Sequence, residues 1–271
     1  MSAGNWSLLW EVRAPEAPFA SYLFGTMHVR DRRAFRQEAL ILQKIDACTA
    51  FACEYDLDLA DSELPGKPFH LPDGRVLNDY LPARKYGRTR MALLKATGID
   101  IGHYRRLRPS IILQLLGEQV LAADRPLALD AYLWHYAREA GKELVGIETF
   151  AEQLELLQSL PVEPQVRSLA AVAQNFASFR RQLMHLAACY EKGDLQRLYQ
   201  LSRRQAGGAR KSLLLERNRI MAERLDPLLR NHSLFAALGA AHLGGQKGVL
   251  RLLKLKGWKV KRVEGWKGDR G

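Results

Sequence analysis

Two short segments of the chain each place a histidine three residues after a glycine, at the end of an apolar run. They are YLFGTMH at residues 22–28, which ends in His28, and FAALGAAHL at residues 235–243, which contains His242. With 21 glycines and seven histidines in 271 residues, chance placement gives about half a Gly-x-x-His match. Finding the motif twice in the same strand-like context therefore indicates a shared role for the two histidines.

Two glutamates occupy the same kind of position. Glu54 and Glu148 lie at the ends of strand-like runs at residues 49–55 and 143–148. In open α/β sheets, ligands bind beyond the carboxyl ends of the strands, so four such side chains can meet in one site. A glycine before each histidine lets the chain leave the sheet and lets another backbone approach closely. Two imidazoles and two carboxylates suit a divalent transition metal, and they equally suit acid–base hydrolysis without a metal.

Each of these residues also has a purely structural interpretation. A histidine at a strand end is often a hydrogen-bonded structural residue. Glu54 can cap the turn that follows it, and Glu148 can accept a backbone hydrogen bond at the N-terminus of the next helix, where a carboxylate is favoured. The residues alone leave both interpretations open.

The elements that must position these side chains follow from hydrophobic periodicity. Short apolar or alternating runs predict strands, and apolar residues at helical spacing predict helices between them. Strands are predicted at 7–13, 20–25, 49–55, 143–148, 234–240 and 258–263, and helices at 34–47, 83–97, 109–123, 129–140, 151–160, 164–192, 195–205, 212–230 and 248–256. A Pro/Gly-rich loop is predicted at 64–73 and a turn at Gly207-Gly208. Such interleaving predicts an α/β fold in which helices cover a central mixed sheet.

The organisation predicted for the whole chain is a single domain over residues 1–271. Two helical blocks, at about 83–140 and 151–230, are too long for simple crossovers and are predicted to form an insertion or cap over the sheet. No Pro- or Gly-rich linker separates independent domains.

Composition narrows the class of protein. The net charge is +12, with basic clusters near residues 105–108 and 254–262, but no nucleic-acid motif accompanies them, and a solvated basic surface is the favoured interpretation. No segment approaches the roughly 18 uncharged apolar residues of a membrane span, and the N-terminus lacks a signal-peptide pattern. Three cysteines without a framework spacing fit a reducing compartment. The sequence thus predicts a cytoplasmic protein.

Several motifs recur along the chain in a specific order. They are Trp10, YLFGTMH, the acid in FACEYD, Asp130 in LALDAYL, GIET at 146–149 with Gln153, Tyr190 with Gly193 and Asp194, ERN at 216–218, and GAAHLGGQKGVLRLLKLKGWKV at 239–260. In this order the chain resembles the TraB/GumN family, whose distant relatives include the Tiki proteases and the erythromycin-esterase and ChaN-like folds. Members usually have a proline at the position of Gly244, which leaves the histidine segment in place.

The resemblance implies an α/β fold with two related halves, each supplying one Gly-x-x-His motif, and a site wall formed by the ERN helix. Tiki members are metal-dependent peptidases supported by manganese or cobalt. By this resemblance, His28, Glu54 and His242 are expected to hold Mn²⁺ or Co²⁺, and Glu148 to act as general base or fourth ligand. Arg217 is expected to stabilise oxyanion charge, with Asn218 orienting it.

The expected activity is therefore metal-dependent hydrolysis, with a peptide bond as target and a peptide or small molecule as substrate. Two other classes stay open. The esterase relatives are thought to use a histidine without metal, so a metal-independent esterase-type hydrolase is one alternative. A regulatory protein that binds a peptide or cofactor in the same cleft without turnover is the other.

Overall fold

The fold is a mixed sheet covered by helices, as the sequence predicts. A computed structural model describes residues 6–14, 19–62, 69–205 and 207–266. The strands are β1 (Leu9–Arg13), β2 (Ser21–Thr26), β3 (Ala50–Cys53), β4 (Glu143–Gly146), β5 (Leu234–Gly239) and β6 (Lys259–Arg262). The helices are α1 (Glu38–Asp46), α2 (Leu57–Ser62), α3 (Ala83–Thr97), α4 (Pro109–Val120), α5 (Leu129–Glu139), α6 (Phe150–Ser159), α7 (Val162–Gln174), α8 (Phe176–Lys192), α9 (Leu195–Gln205), α10 (Gly207–Asn231), α11 (Ala240–Leu243) and α12 (Val249–Leu255).

The six strands are arranged in the order β4-β3-β5-β2-β1-β6. Neighbours from β4 to β2 are parallel, whereas β1 is antiparallel to both β2 and β6. Strands β2 and β3 are buried along their whole length, because helices cover both faces, and this explains their near-continuous apolar sequences. The carboxyl ends of β2, β3, β4 and β5 therefore lie at one edge of the sheet.

The two Gly-x-x-His segments lie side by side at this edge. Strands β2 and β5 pair in parallel with Gly25 opposite Leu238 and Thr26 opposite Gly239. After β2 the chain continues through His28 without regular secondary structure, and the Val29 N–H donates to the carbonyl of Met27 at 2.8 Å. After β5 it enters the short helix α11, which contains His242. The same spacing thus gives two different local structures.

The motif glycines serve close packing. Neither Gly25 nor Gly239 has a positive φ, so a left-handed turn is not required at either position. A Cβ at Gly25 would lie 3.1 Å from the backbone of Ala240, and one at Gly239 would lie 3.0 Å from Oε1 of Glu54. Each glycine therefore admits a neighbouring group that a side chain would push away.

Three local predictions differ from the structure. The helix predicted at 164–192 is broken at Asn175, whose backbone is non-helical and whose side chain accepts a hydrogen bond from the Ser178 N–H at the start of α8. Gly207 and Gly208, expected to form a turn, begin α10. The strand predicted to reach Ala240 ends at Gly239. Residues 64–68 of the loop predicted at 64–73 lie outside the described residues.

Two clusters of buried apolar residues stabilise the fold. The larger one surrounds the sheet, and the smaller one joins α3, α4 and α7 with the segment that precedes α3. Cys48, Cys53 and Cys189 are buried free thiols. Within the described ranges, no helix has the length and apolar character needed to cross a membrane.

Candidate active site

Side chains from two strand ends and one helix form a largely buried charged network. Glu54 follows β3, Glu148 follows β4, and Arg217 reaches them from α10. Its Nη2 donates to Oε2 of Glu54 at 2.7 Å and to Oε2 of Glu148 at 2.6 Å, while its Nε donates to both oxygens of Glu148 at 3.1 Å. The side chains of Glu148 and Arg217 are 5% and 19% exposed. Shielding from water makes such charge-assisted bonds stronger than surface pairs.

The two carboxylates have further partners. Nε2 of Gln153, in the first turns of α6, donates to Glu148 at 3.0 Å and lies 3.5 Å from Oε2 of Glu54. The Gly239 N–H donates to Oε1 of Glu54 at 2.8 Å. Burial alone would raise the pKa of Glu54, but His242, Arg217 and the Gly239 N–H outweigh it and lower the pKa to about 2. Glu54 is therefore ionised at neutral pH.

His242 is buried and oriented by Asn218. Nδ1 of the imidazole lies 2.7 Å from Oδ1 of Asn218, while Nδ2 of the amide donates to the carbonyl of Lys247 at 2.9 Å. Because the carbonyl fixes which end of the amide faces the ring, Nδ1 carries the proton and Nε2 keeps its lone pair. That Nε2 lies 3.7 Å from Oε1 of Glu54. Burial lowers the pKa of His242, so its ring is neutral at neutral pH and places a positive charge beside Glu54 only at lower pH. At neutral pH, Arg217 and the Gly239 N–H keep Glu54 ionised.

His28 pairs with an acidic residue of helix α5. Nδ1 of His28 lies 3.3 Å from Oδ2 of Asp130, in the first turn of α5, and the histidine side chain is 58% exposed. The contact with Asp130 raises the pKa of His28, against the opposing effect of burial. Both residues line a pocket of about 370 Å³, together with Glu54 and Gly239. The edge of the sheet thus carries one accessible and one buried histidine.

The profile of a known protein family matches almost the whole chain. The TraB/PrgY/gumN family aligns with residues 8–262. The chain belongs to this family. No solved structure shows significant similarity to it.

Three proteins with sequences similar to this chain are named metalloproteases. Metalloprotease TIKI2 of Danio rerio is 26% identical and aligns with 95% of this chain and 61% of its own length. The metalloprotease TIKI homolog of Amphimedon queenslandica is 25% identical, with the same coverages, and metalloprotease TIKI1 of Danio rerio is 23% identical. The chain spans about three fifths of the length of these relatives.

Two residues of the candidate site have no role assigned from the sequence. Asp130 faces His28, and Gln153 bridges toward both glutamates. Both occur in motifs that carry the family resemblance, but periodicity places them only on helices. Their contacts depend on how α5 and α6 pack against the sheet edge, which spacing along the chain does not encode.

The names of the relatives imply a divalent metal, and the residues at the sheet edge can be compared with the ligands that such a metal prefers. His28, Asp130, Glu54 and His242 are ligand types that transition metals accept. Oδ2 of Asp130 is buried, and its 3.3 Å contact with Nδ1 of His28 lacks regular hydrogen-bond geometry. Since no other group in the described part of the chain donates to it, this oxygen keeps acceptor capacity. Across the residues described, however, no three His, Cys, Asp or Glu side chains are already arranged as a metal-binding group. The donor set fits a metal by type and is not preassembled.

Proposed function

We propose that the chain is a hydrolase of peptide bonds that works at the sheet-edge pocket with a divalent metal, Mn²⁺ or Co²⁺ by family resemblance. The supporting observation is the orientation of the two histidines. Each has Nδ1 beside a side-chain oxygen, from Asp130 for His28 and from Asn218 for His242, which leaves both Nε2 atoms for a ligand. This is the usual outer-shell pattern of metal-ligating histidines.

The residues proposed to hold the metal are His28, Glu54 and His242. Asp130 is proposed to orient His28 from the side of Nδ1. A bound divalent metal lowers the pKa of water toward neutrality and polarises a carbonyl group. Glu54 supplies an ionised carboxylate at neutral pH, and Asn218 holds the tautomer in which Nε2 of His242 is unprotonated.

Glu148 and Arg217 have roles in this proposal that differ from one another. Glu148 is proposed as the general base or fourth ligand. Arg217 contacts both carboxylates, so we propose that it holds them in place. It is also expected to stabilise oxyanion charge, for which preorganised donors are effective.

A metal-independent mechanism is the second candidate. It is favoured by the observation that Arg217 already compensates both glutamates. In that case, the lone pair of Nε2 of His242 accepts a proton from water, and protonated His28 donates one to the leaving group.

The test combines metal analysis with turnover. Freshly purified protein is assayed for bound metal by mass spectrometry, and hydrolysis of a peptide library is followed with chelator, Mn²⁺ or Co²⁺. His28→Asn and His242→Asn are compared with His103→Asn, which removes an exposed histidine that lies 4.0 Å from Asp100.

The proposal predicts metal-stimulated cleavage that only the first two variants lose. Cleavage that chelator leaves intact but those variants abolish supports the metal-independent mechanism. Absence of cleavage in the parent under every condition contradicts the hydrolase function.

A further inference from the structure

A second cavity adjoins the candidate site. It has a volume of about 540 Å³ and lies between the segment that follows β2, helix α4 and helix α8. Its size falls in the range of roughly 300–1,000 Å³ that is typical of small-ligand pockets. Its walls are mainly apolar, with Met27, Val29, Leu113, Leu121, Phe179 and Leu183.

The apolar cavity and the polar pocket share two lining residues, His28 and Gln114. A substrate bound with its reacting group beside His28 therefore has the apolar cavity next to it. No hydrophobic segment in the described ranges is seated in this space, whose walls include partly exposed apolar side chains. The position next to the reacting group is where hydrolases commonly select a substrate side chain.

Hydrogen bonds hold the cavity open on one side. The N–H of Ala122 donates to the buried carboxylate of Asp31 at 3.2 Å, and the N–H of Leu129 donates to the carbonyl of Val29 at 3.1 Å. The first bond joins the segment just after α4, and the second joins the start of α5, to the segment that carries His28. The wall is therefore fixed before a ligand binds, which reduces the entropic cost of binding.

Gly117 forms part of the cavity wall at a position where packing does not require a glycine. It lies inside α4, where glycine is unfavourable relative to alanine. A Cβ there would lie 3.6 Å from Cδ1 of Leu183 on α8, an ordinary contact. The missing side chain instead leaves space between the two helices, and a larger residue would extend into the cavity.

We propose that this cavity is a specificity pocket that takes a large apolar side chain, such as Phe, Leu or Met, from a residue beside the bond that is cleaved. The proposal rests on the proposed peptide hydrolysis. Burying such a side chain favours it over a small or charged one by roughly 10- to 100-fold in kcat/KM.

The first experiment measures cleavage preference with the full chain. A peptide library varied around the cleaved bond is hydrolysed by the parent, Gly117→Ala, Gly117→Leu and the control Gly87→Leu. Gly87 lies on α3, and no neighbouring atom of the described residues lies within 4 Å of an added Cβ. We expect the parent, Gly117→Ala and the control to prefer large apolar residues. Gly117→Leu should lose at least tenfold of that preference while it still cleaves peptides with Gly or Ala there.

The second experiment needs no turnover. Binding of N-acetyl-leucinamide and N-acetyl-phenylalaninamide is followed by NMR shifts of the α4 and α8 amides, and Gly117→Leu should abolish it. If Gly117→Leu does not fold, Leu183→Trp fills the same space from the opposite wall. Binding without cleavage in the parent supports the pocket and contradicts the hydrolase function. Three results would contradict the specificity-pocket proposal. They are a parent that cleaves without preference for large apolar residues, a preference that stays unchanged in both Gly117→Leu and Leu183→Trp, and a parent that does not bind the two amides.

Discussion

Arg217 is the cation that lies between the buried carboxylate of Glu148 and the partly buried carboxylate of Glu54. Removing one partner of a buried ion pair leaves an uncompensated charge, which costs about 3–5 kcal/mol. We therefore expect Arg217→Met to lower the free energy of unfolding at pH 7 by about that amount, as measured by urea denaturation. Arg219→Met is the matched control, because Arg219 lies two residues further along α10 and pairs with Glu216 and Glu223 on the exposed surface. The control should change the midpoint little.

The pH dependence of this effect has a definite sign. In the parent, the pKa of Glu54 is about 2 rather than 4.5. Its contribution is therefore present above pH 4.5 and is lost as the pH falls toward 2. In Arg217→Met both carboxylates lose their cation and the pKa of Glu54 rises, so this carboxylate is destabilising at neutral pH and becomes less so as it is protonated. The difference between variant and parent should shrink from pH 7 to pH 4. A constant difference would argue for a packing defect instead.

The pair formed by His28 and Asp130 permits a direct test in solution. The contact with the carboxylate raises the pKa of the imidazole above 6.5, so Asp130→Asn should bring it back toward 6.5. The measurement is an NMR titration of the ring protons in the presence of chelator. Asp100→Asn, which removes the carboxylate that pairs with Arg90 on α3, should leave the titration of His28 unchanged. An unshifted His28 in Asp130→Asn would show that the pair does not form.

At the scale of elements, the close approach of the two loops that follow β3 and β4 positions Glu54 and Glu148. A Cβ at Gly146 would lie 2.6 Å from the backbone nitrogen of Asp56 and 3.1 Å from the backbone carbon of Tyr55. We expect Gly146→Ala to push the loops apart, to lower the free energy of unfolding by about 1–3 kcal/mol, and to reduce any turnover.

The matched control for Gly146→Ala is Gly87→Ala. Gly87 lies inside α3 with open space around an added Cβ, so alanine there should be neutral or stabilising by up to about 1 kcal/mol. Thermal melts and peptide turnover are measured for both variants. Equal stability of the two alanine variants would mean that the loops can move apart without cost.

These elements also show which features the sequence can predict. Continuous apolar runs predict the strands that end at the site, because a strand covered on both faces has no polar side. The topology then brings together the polar residues that follow these strands. The break at Asn175 and the short helix that carries His242 were missed, because local capping and close packing against Gly25 decide them. The roles of Asp130 and Gln153 depend on helix packing, which periodicity does not specify.

At the scale of the whole molecule, two apolar clusters must act together for the site to keep its shape. His28 follows a strand of the larger cluster, whereas α4, which lines both pockets through Gln114, belongs to the smaller one. Hydrogen bonds join them, including those from the Arg125 N–H to the carbonyl of Arg30 and from the Arg32 N–H to Oδ1 of Asp124. The single domain predicted from the sequence requires that this connection couples their unfolding.

Substitutions in the two clusters can test that coupling. Leu238 lies in β5 and Leu93 in α3, and both are fully buried. Truncating either to alanine removes buried apolar area and leaves a cavity, at a cost of about 2–5 kcal/mol. If the clusters unfold as one unit, calorimetry should show one transition, with equal calorimetric and van't Hoff enthalpies, in the parent and in both variants. Both variants should shift the whole transition. Two transitions, of which Leu93→Ala shifts only one, would show that the helical cluster is a separate domain and that the pocket beside His28 lies at a domain boundary.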